Sequence, residues 1–333
     1  MIIVIGATGF IGTYLVDELL REGVDVIATG RNKTIAKYLK KKGVLFVELD
    51  ITKKEDFKKL PTENIDAVVL LAALLPANVK NHNPFDYIKV NITGTLNVLE
   101  YCRLNNVKKL ISTTSYADVQ NLWSKNMPIN ETAKRDFKFT GDHTLYIITK
   151  NTASDLIEHY NQEYGMQGVV LRLPPVYGYG PHLEIYVNGK YYKSGFQIFV
   201  EKATKGESIE IWGDSNITRD IVYIKDVVSA FILVLKSTRA KGLYNITSGV
   251  PLSLDEQVKT TIEVFSPKNK PSEIIYQPDK KNASTSYIFD ITKARQDFGY
   301  APQFIPFKKM LLDYKSEMDK GEFDFLVKNR KKV

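Results

Sequence analysis

The feature that most constrains this chain is a glycine-spaced loop near its start. Gly6, Gly9 and Gly12 in "GATGFIG" lie between the apolar run "IIVI" and an amphipathic helical pattern. Such a turn lets the backbone approach a pyrophosphate without a Cβ in the way, and the amides at the helix start bind the anion. A packing turn can share the spacing, but directly after a strand the loop predicts a dinucleotide site. The candidate cofactor contacts in it are Gly6, Thr8, Gly9, Phe10, Ile11 and Gly12.

Strand-like and helix-like runs alternate through the first half of the chain. The strand-like runs cover residues 2–5, 25–29, 45–48, 67–71, 109–113 and 168–171, and the helical runs cover 11–22, 34–41, 85–105 and 146–164. The alternation predicts an α/β fold with a doubly wound parallel sheet of the Rossmann type. A less regular pattern after residue 172 predicts a smaller C-terminal substrate lobe. The predicted division is 1–172 with a re-entrant segment 226–247 for the cofactor domain, and 173–225 with 248–333 for the lobe.

The composition is that of an ordinary globular protein with a basic excess. The chain has 44% hydrophobic and 25% charged residues and a formal net charge of +8. Without a helix-turn-helix, zinc or aromatic-platform signature, this charge predicts no nucleic-acid partner and suits anionic substrates instead. No apolar run is long enough to span a membrane and no signal segment precedes the first strand, so we expect a cytoplasmic protein. Cys102 fits a core position in a helix, and the widely spaced histidines predict no metal site.

The end of the second strand is the position that selects between NAD and NADP. An acid that accepts the adenosine 2′-hydroxyl is common there, but this chain has Gly30 and then Arg31. No carboxylate repels a 2′-phosphate, and the planar fork of Arg31 suits that group, unless it is a plain solvated arginine. We therefore expect that NADP(H) is preferred and NAD(H) is possible. Asn32, and Asp50 with Ile51 after the third strand, are further candidates for contacting the adenosine, a plain turn being the alternative for Asp50.

Tyr146 and Lys150 stand four residues apart at the start of a long helical pattern, so a helix places both on one face. A phenol ionises near pH 10, and a neighbouring ammonium together with a positively charged nicotinamide would favour the phenolate. Three other Tyr–Lys pairs in this chain share the spacing. Only this pair follows a strand that ends in the hydroxyls of "STTS". Because open α/β sheets bind ligands at the carboxyl ends of strands, the two features together predict a catalytic site.

In this order and spacing the motifs resemble the extended short-chain dehydrogenase/reductase family, and within it the NAD(P)-dependent epimerase/dehydratase group that acts on nucleotide sugars. The resemblance covers nearly the whole chain. Further stretches that carry it are "VVLLAA", "NITGTLNVLE", "YIITK", "LRLPPVYGYGP", "GDSNITRDIVYIKDVV", "YNITSG" and "DITKARQDFGYAP". Each one is modest alone, and their order and spacing make the resemblance specific.

The resemblance implies roles for the residues at matching positions. Ser115 would hydrogen-bond the reacting sugar oxygen, with Thr114 as the nearest rival, and Tyr146 would be the general acid and base. Lys150 would hold the nicotinamide ribose and lower the pKa of the tyrosine. Arg219 would pair with the diphosphate or the nucleotide of the substrate, unless it forms a surface ion pair with Asp220. The residues that would line the cofactor are Leu71, Ala72, Ala73 and Asn91, the last as a conformational or water-relay residue.

Departures from the family pattern narrow the expected reaction. The 4,6-dehydratases carry an Asp-Glu pair after the strand hydroxyls, where this chain has Tyr116 and Ala117, so dehydration is disfavoured. Pro174 and Pro175 stand where many epimerases have a substrate-contacting asparagine. Because the second strand favours NADPH, the main prediction is a reductase that transfers hydride to the C4 ketone of a nucleotide-linked 6-deoxy-hexose. The alternative is a nucleotide-sugar 4-epimerase, and a non-catalytic NAD(P)-binding protein is the least expected.

The expected partners are a nucleotide sugar and a second copy of the chain. The helical segments 85–105 and 146–164 resemble the pair through which family members dimerise. Simple packing of these helices against the sheet is the alternative.

Overall fold

The computed structural model describes residues 1–328 with a few internal exceptions. The exceptions are Val79, Asn81, Asn126, Met127, Asp142, His182, Leu183, Asn188, Gly189 and Ala283. Residues 329–333, which belong to the predicted lobe, also lie outside the described part.

The regular elements follow the predicted alternation in the first half of the chain. The strands are β1 Ile2–Ile5, β2 Val26–Gly30, β3 Leu45–Glu48, β4 Ala67–Leu70, β5 Lys109–Ser115, β6 Gln167–Leu173, β7 Val176–Tyr177, β8 Glu184–Val187, β9 Lys190–Lys193, β10 Ile209–Trp212, β11 Thr218–Arg219, β12 Val222–Tyr223, β13 Gly242–Asn245, β14 Leu252–Ser253 and β15 Ile274–Gln277. The α-helices are α1 Phe10–Arg21, α2 Lys33–Lys41, α3 Pro84–Tyr87, α4 Gly94–Leu104, α5 Thr144–Glu163, α6 Gly195–Lys205, α7 Ile224–Lys236, α8 Leu254–Phe265, α9 Thr292–Phe298, α10 Phe307–Lys320 and α11 Asp324–Lys328.

A seven-stranded parallel sheet forms the centre of the molecule, in the order β13-β6-β5-β4-β1-β2-β3. From β1 the chain builds outward through β2 and β3, then returns to β4 and builds the other way through β5 and β6. At such a reversal the carboxyl ends of the strands form a ligand-binding crevice. The doubly wound parallel sheet is therefore confirmed, and the segment predicted to re-enter supplies its edge strand β13. The division into two units at the predicted bounds stays a prediction.

Apolar side chains cover both faces of the sheet because each strand alternates them between two helix layers. Ile111 and Val169 pack in the layer with α1 and α7, whereas Leu110 and Val170 pack in the layer with α4 and α5. Leu110 and Ile111 are consecutive in β5, so they define which face each later side chain of that strand takes. Cys102 is fully buried in α4, in agreement with a core position.

The predicted helix over 85–105 is interrupted in the structure. A π-helical turn, Ile88–Thr93, separates α3 from α4. Apolar periodicity does not distinguish such a turn from a continuous helix, since it adds only one residue to the helical path. The turn carries Asn91, which is a predicted site residue.

The part of the chain after β6 forms several small sheets and a helical layer. β10 pairs with β15, β11 with β14, and β8 with β9 as a hairpin that the sequence pattern did not indicate. The buried carboxylate of Asp226 accepts the backbone N–H groups of Gln303 and Phe304 at 2.7 and 3.2 Å, which fastens the C-terminal segment to α7. None of the helices in the described residues has the length and apolar character needed to cross a bilayer. Within the same residues, no three His, Cys, Asp or Glu side chains gather to hold a metal ion.

Candidate active site

The glycine loop turns sharply between β1 and α1. Gly6 has a φ of +92°, and a Cβ there would lie 2.5 Å from the backbone nitrogen of Ala72. A Cβ on Gly12 would lie 2.4 Å from the Gly6 carbonyl oxygen. Real Cβ atoms do not approach backbone atoms so closely, and L side chains rarely adopt the Gly6 conformation. The loop therefore requires glycine at both positions.

The first turn of α1 is open to an anion. Gly9 is the N-cap residue and provides no side-chain cap, and the turn contains no acid. The amides at this helix end carry partial positive charge and are available to a phosphate group. The narrow backbone cradle and the uncapped turn together fit the pyrophosphate of a dinucleotide.

The side chains between the glycines are used for packing. The Thr8 side chain fills the space beside Gly30, where a Cβ would come within 2.4 Å of Thr8 Oγ1. The Phe10 ring lies against Gly180, where a Cβ would approach the ring to 2.5 Å, and Ile11 packs against the core. Any cofactor contact of Phe10 and Ile11 would therefore come from their backbone.

Arg31 and Asp50 face each other beyond the ends of β2 and β3. Arg31 Nη1 lies 3.7 Å from Asp50 Oδ2, and the arginine side chain is 66% exposed. Asp50 also accepts from the amide and the hydroxyl of Thr52, at 3.0 and 2.8 Å. Partial burial opposes ionisation of Asp50, but these hydrogen bonds and Arg31 outweigh it and lower its pKa. The arginine thus has only a loose ion pair at the predicted adenosine end.

Asn32 and Ile51 have structural partners at the same end. The Asn32 side chain caps α2 by accepting from the amides of Thr34 and Ile35. Ile51 is buried, and its side chain fills the space beside Gly94 at the start of α4. The sequence shows neither packing role, because both depend on which helix lies next to the loop.

The loop after β4 runs beside the glycine loop. The amides of Leu71 and Ala72 both donate to the carbonyl oxygen of Ile5, at 2.8 and 3.1 Å. This contact explains why Gly6 has no room for a Cβ on the side of Ala72. The predicted cofactor-lining residues Leu71, Ala72 and Ala73 therefore lie next to the dinucleotide cradle.

Asn91 connects this loop to α5. Its side-chain oxygen accepts from the Leu74 amide at 2.8 Å, and its side-chain nitrogen donates to Thr149 Oγ1 at 3.1 Å. Thr149 in turn donates to the carbonyl oxygen of Tyr146 at 3.1 Å. Asn91 is thus a conformational residue that fixes α5 relative to the loop after β4. Sequence reasoning identified Asn91 and missed Thr149.

Lys150 is a buried cation without a partner. It is 5% exposed, and its ammonium makes no hydrogen bond or ion pair with the residues that the structure describes. Burial lowers the pKa of Lys150 to about 8. A buried ammonium with no partner is unfavourable, so its position here fits a group that binds the hydroxyls of a cofactor ribose.

Tyr146 lies on the same face of α5 as Lys150, one helical turn closer to the start of the helix. Burial, and to a lesser extent the nearby Tyr87, raises the pKa of Tyr146 well above its ordinary value. In the chain by itself burial dominates, so the role of Lys150 in lowering this pKa stays a prediction for the cofactor-bound protein. Any lowering of the Tyr146 pKa needs positive charge that a bound ligand adds to the site.

The end of β5 presents two hydroxyls on opposite faces. Leu110 points toward the layer of α4 and α5, so Thr114 shares that face and Ser115 takes the other. Thr114 Oγ1 is buried and has no hydrogen-bond partner among the described residues. Ser115 Oγ accepts from the Ala117 amide at 3.2 Å and caps the following turn. Thr114, the rival candidate, therefore presents the unpaired hydroxyl on the side of the sheet that carries α5.

Arg219 lies in β11 and donates to the hydroxyl of Ser284. The alternative that it pairs with Asp220 is wrong, since their side chains form no ion pair within the described residues. The fully buried Asp220 carboxylate accepts instead from a serine hydroxyl at 2.8 Å and from the amides of Gly249 and Phe289. Burial raises the pKa of Asp220 to about 6.

Tyr116, Trp123 and Tyr287 form a cluster of three rings, which we call the aromatic box. The Tyr116 ring stacks on Trp123 at a centroid distance of 5.0 Å and lies 5.1 Å from Tyr287, and Trp123 and Tyr287 are 4.8 Å apart. Tyr116 directly follows Ser115, and the backbone of Tyr287 forms a bridge with that of Arg219. The box therefore connects the end of β5 with Arg219. Sequence reasoning missed it because its rings come from segments far apart in the chain.

A second missed feature is the buried ion pair of Arg172 and Asp118. Arg172 Nη2 lies 2.8 Å from Asp118 Oδ2, and the two side chains are 1% and 2% exposed. Arg172 also donates to Asn245 Oδ1 at 3.1 Å, and Asn245 donates to the carbonyl oxygen of Ile129. In the sheet register Arg172 stands opposite Thr114. The network fastens the turn after β5 to β6 and β13.

Comparison with known proteins gives the same fold and identifies relatives. The family model described as the NAD dependent epimerase/dehydratase family matches residues 2–247. A provisionally named UDP-glucose 4-epimerase of Methanocaldococcus jannaschii is 30% identical over 312 residues, which covers 91% of this chain and 93% of that protein. The structure of a Thermotoga maritima UDP-glucose 4-epimerase with UDP-glucose has a TM-score of 0.78 and 27% identity, and covers 96% of this chain and 99% of that one.

A third similar structure is that of the Thermus thermophilus UDP-glucose 4-epimerase in complex with NAD. It has a TM-score of 0.73 and 24% identity, covers 96% of this chain and 98% of that one, and supports the fold alone. The comparisons favour the 4-epimerase alternative and give no support to the main prediction of a 4-keto-6-deoxy-sugar reductase. Because the family model matches well over half of the chain, this protein belongs to the NAD-dependent epimerase/dehydratase family of extended short-chain dehydrogenase/reductase enzymes.

Proposed function

We propose that this protein is a UDP-sugar 4-epimerase that uses a nicotinamide dinucleotide. The observation that carries the proposal is the buried, unpaired ammonium of Lys150, which lies one helical turn from Tyr146. Asn91 holds the helix of this pair against the loop that borders the cradle. Similarity to UDP-glucose 4-epimerases over nearly the whole chain supports the same function.

Each residue of the pair has a distinct task in this proposal. Tyr146 takes the proton of the C4 hydroxyl and returns it after the sugar has turned its other face. The nicotinamide, when bound, supplies hydride transfer at C4. Lys150 holds the ribose hydroxyls, and its charge together with that of a bound oxidised nicotinamide would offset the raised pKa of Tyr146. Thr114 hydrogen-bonds the C4 oxygen, and Ser115 remains the second candidate for this contact.

A 4,6-dehydratase is not proposed. That reaction needs acids near the sugar, and the two positions after the strand hydroxyls are Tyr116 and Ala117. The one acid in the turn Tyr116–Leu122 is Asp118, and Arg172 already holds it in a buried pair.

We further propose that the site accepts both NAD(H) and NADP(H). NAD is supported by the family, and the Thermus enzyme, which has the same fold, is itself known in complex with NAD. A preference for NADP(H) depends on Gly30 and Arg31 alone. The Thr8 side chain gives Gly30 another explanation, and Arg31 is mostly exposed with Asp50 only 3.7 Å away. Because no acid stands at position 30, the site tolerates the 2′-phosphate. It does not select this phosphate strongly.

The test is to incubate the purified protein with UDP-glucose or UDP-galactose and to separate the products by chromatography. We expect the same equilibrium mixture from either sugar without net consumption of NADPH. Tyr146→Phe should reduce the rate by about 10²- to 10⁴-fold. Tyr160→Phe is the matched control on the same helix, where the phenol donates to Glu100, and should keep the rate. NADPH consumption with a 4-keto sugar and no epimerisation would instead support the reductase.

We also propose a homodimer through the outer faces of α4 and α5. The proposal is supported by two apolar side chains of α4, Leu96 and Leu104, which are 38% and 63% exposed. Exposed apolar side chains on one helix are typical of a surface that a second copy covers. Light scattering should give twice the mass of the 37.8 kDa chain, and the mass of a monomer would contradict the proposal.

A further inference from the structure

We infer that the substrate sugar is an uncharged hexose and not a uronic acid, and that the aromatic box sets this preference. The inference rests on the proposed function, because it takes the sugar to lie with C4 at Thr114 and Tyr146 and its diphosphate at Arg219. It adds the substrate class, which the similarity to other epimerases leaves open.

The aromatic box lies between the two ends of the proposed sugar site. Tyr116 follows Thr114 by two residues at the end of β5, and the Tyr287 backbone forms a bridge with Arg219. The charge of Arg219 acts on the phenols of both Tyr116 and Tyr287. A hexose that extends from Thr114 to Arg219 therefore has these rings along one side. Aromatic walls with few polar groups are typical of pockets that bind neutral ring systems.

A carboxylate on the sugar would compete for cations that already have a partner or a task. Arg219, whose backbone forms a bridge with Tyr287 of the box, is required by the diphosphate. Arg172 is paired with Asp118 behind the strand end. Lys150 belongs to the cofactor side. Arg135, whose charge acts on Asp118 in the turn after β5, already pairs with Asp155 through two hydrogen bonds. Each of these four cations thus has a partner or a task in the proposed site.

The box itself offers two neutral donors. Trp123 Nε1 and the Tyr287 hydroxyl are both buried and have no hydrogen-bond partner among the described residues. An indole N–H suits a sugar hydroxyl oxygen, whereas a desolvated carboxylate needs a cation or several hydrogen bonds. The rings also stay neutral, since burial raises the pKa values of Tyr116 and Tyr287. We therefore expect a preference of at least about 100-fold in kcat/KM for the uncharged sugar.

The test compares the pair UDP-glucose and UDP-galactose with the pair UDP-glucuronate and UDP-galacturonate at one ionic strength. The expected result is epimerisation of the first pair with a kcat/KM at least about 100-fold higher. A kcat/KM for the uronates equal to or above that for the hexoses would overturn the inference and leave the 4-epimerase intact. Epimerisation of neither pair would overturn the proposed function, and the inference with it.

Two variants test the role of the box directly. Tyr116→Lys places an ammonium in it and should raise the ratio of uronate to hexose kcat/KM at least tenfold. Tyr164→Lys, at a tyrosine that is 41% exposed at the end of α5, is the matched control and should keep the wild-type ratio. An unchanged ratio in folded Tyr116→Lys would contradict the box as the source of the preference. If Tyr116→Lys does not fold, Trp123→Phe is the second variant, since it removes the indole donor and keeps an aromatic ring. It should lower kcat/KM for UDP-glucose several-fold. An unchanged value would contradict the role of the box.

Discussion

Replacing Lys150 by methionine should stabilise the chain while it removes activity. Lys150 is 5% exposed, and burial lowers its pKa from the ordinary value of 10.5 to about 8. At about 1.36 kcal/mol per pKa unit, the charged form therefore costs about 3 kcal/mol at neutral pH. Methionine keeps the unbranched apolar stem and carries no charge. Lys150→Met should raise the free energy of unfolding of the dinucleotide-free protein by about this amount.

The stabilisation has a defined pH dependence. Because the folded-state pKa of Lys150 lies below its unfolded value, the unfolded chain binds more protons between about pH 8 and 10.5. The contribution of Lys150 to the free energy of unfolding of wild type therefore rises with pH between about pH 8 and 10.5 and is lowest below pH 8. The advantage of Lys150→Met should be largest at pH 7 and fall to about 1 kcal/mol near pH 9.5.

Thermal unfolding of the dinucleotide-free proteins measures this effect. For a chain of 333 residues, about 3 kcal/mol corresponds to a shift of about 4 to 5 °C in Tm. Lys108→Met, an exposed lysine just before β5, is the control and should stay within about 0.5 kcal/mol of wild type. Added NAD(H) should stabilise wild type more than Lys150→Met. A variant that melts at or below the wild-type temperature at pH 7 would refute the assignment of an unpaired ammonium.

Four other substitutions test separate parts of the site. Thr114→Val should lower kcat on UDP-glucose by about 10²-fold, whereas Ser115→Ala should change it less than about tenfold; the reverse order would restore Ser115 to the role. Asn91→Leu removes the hydrogen bonds to the loop after β4 and to α5, so dinucleotide affinity in a fluorescence titration and kcat should both fall. The pKa of Asp220 is raised to about 6, so this carboxyl binds its proton more tightly in the folded chain. The free energy of unfolding of wild type should therefore fall by about 2 kcal/mol relative to that of Asp220→Asn as the pH rises from 4 to 7. A pH-independent difference would argue against this shift. Arg31→Asp should lower the ratio of NADP(H) to NAD(H) affinity at least about tenfold, and an unchanged ratio would show that Arg31 does not contact the 2′-phosphate.

The cofactor half of the fold follows from the sequence because its signals are local. Each strand of the sheet is a short apolar run next to an amphipathic helix, and the glycine loop fixes where the first strand ends. The π-helical turn Ile88–Thr93 is different, since its apolar spacing is compatible with an ordinary helix. The sequence does not indicate the β8–β9 hairpin either, because two tyrosines between two lysines in "KYYK" fit a solvated loop equally well.

The choice between Thr114 and Ser115 shows where local signals end. Both are hydroxyls at the end of one strand, and the buried neighbours Leu110 and Ile111 are both apolar. Because successive side chains of a strand point to opposite faces, the two hydroxyls face opposite ways. Only the packing of α5 identifies which face of the sheet holds Tyr146. Because both faces of this strand are buried, its sequence has no polar side that would indicate its orientation. The aromatic box is a stronger case, because Tyr287 comes from a segment far along the chain.

Three buried charges of this protein lead to different conclusions because of what surrounds them. Asp220 is buried but accepts hydrogen bonds from two amides and a hydroxyl, and Arg172 is buried with Asp118 as its partner. Both are satisfied by the chain and hold elements together. Lys150 is equally buried and has no described partner. A fold that keeps such a cation gives up stability, so we expect its partner to come with a ligand. Its place one turn from Tyr146, on the helix that Asn91 links to the loop bordering the cradle, supports the dinucleotide of the proposed function as that ligand.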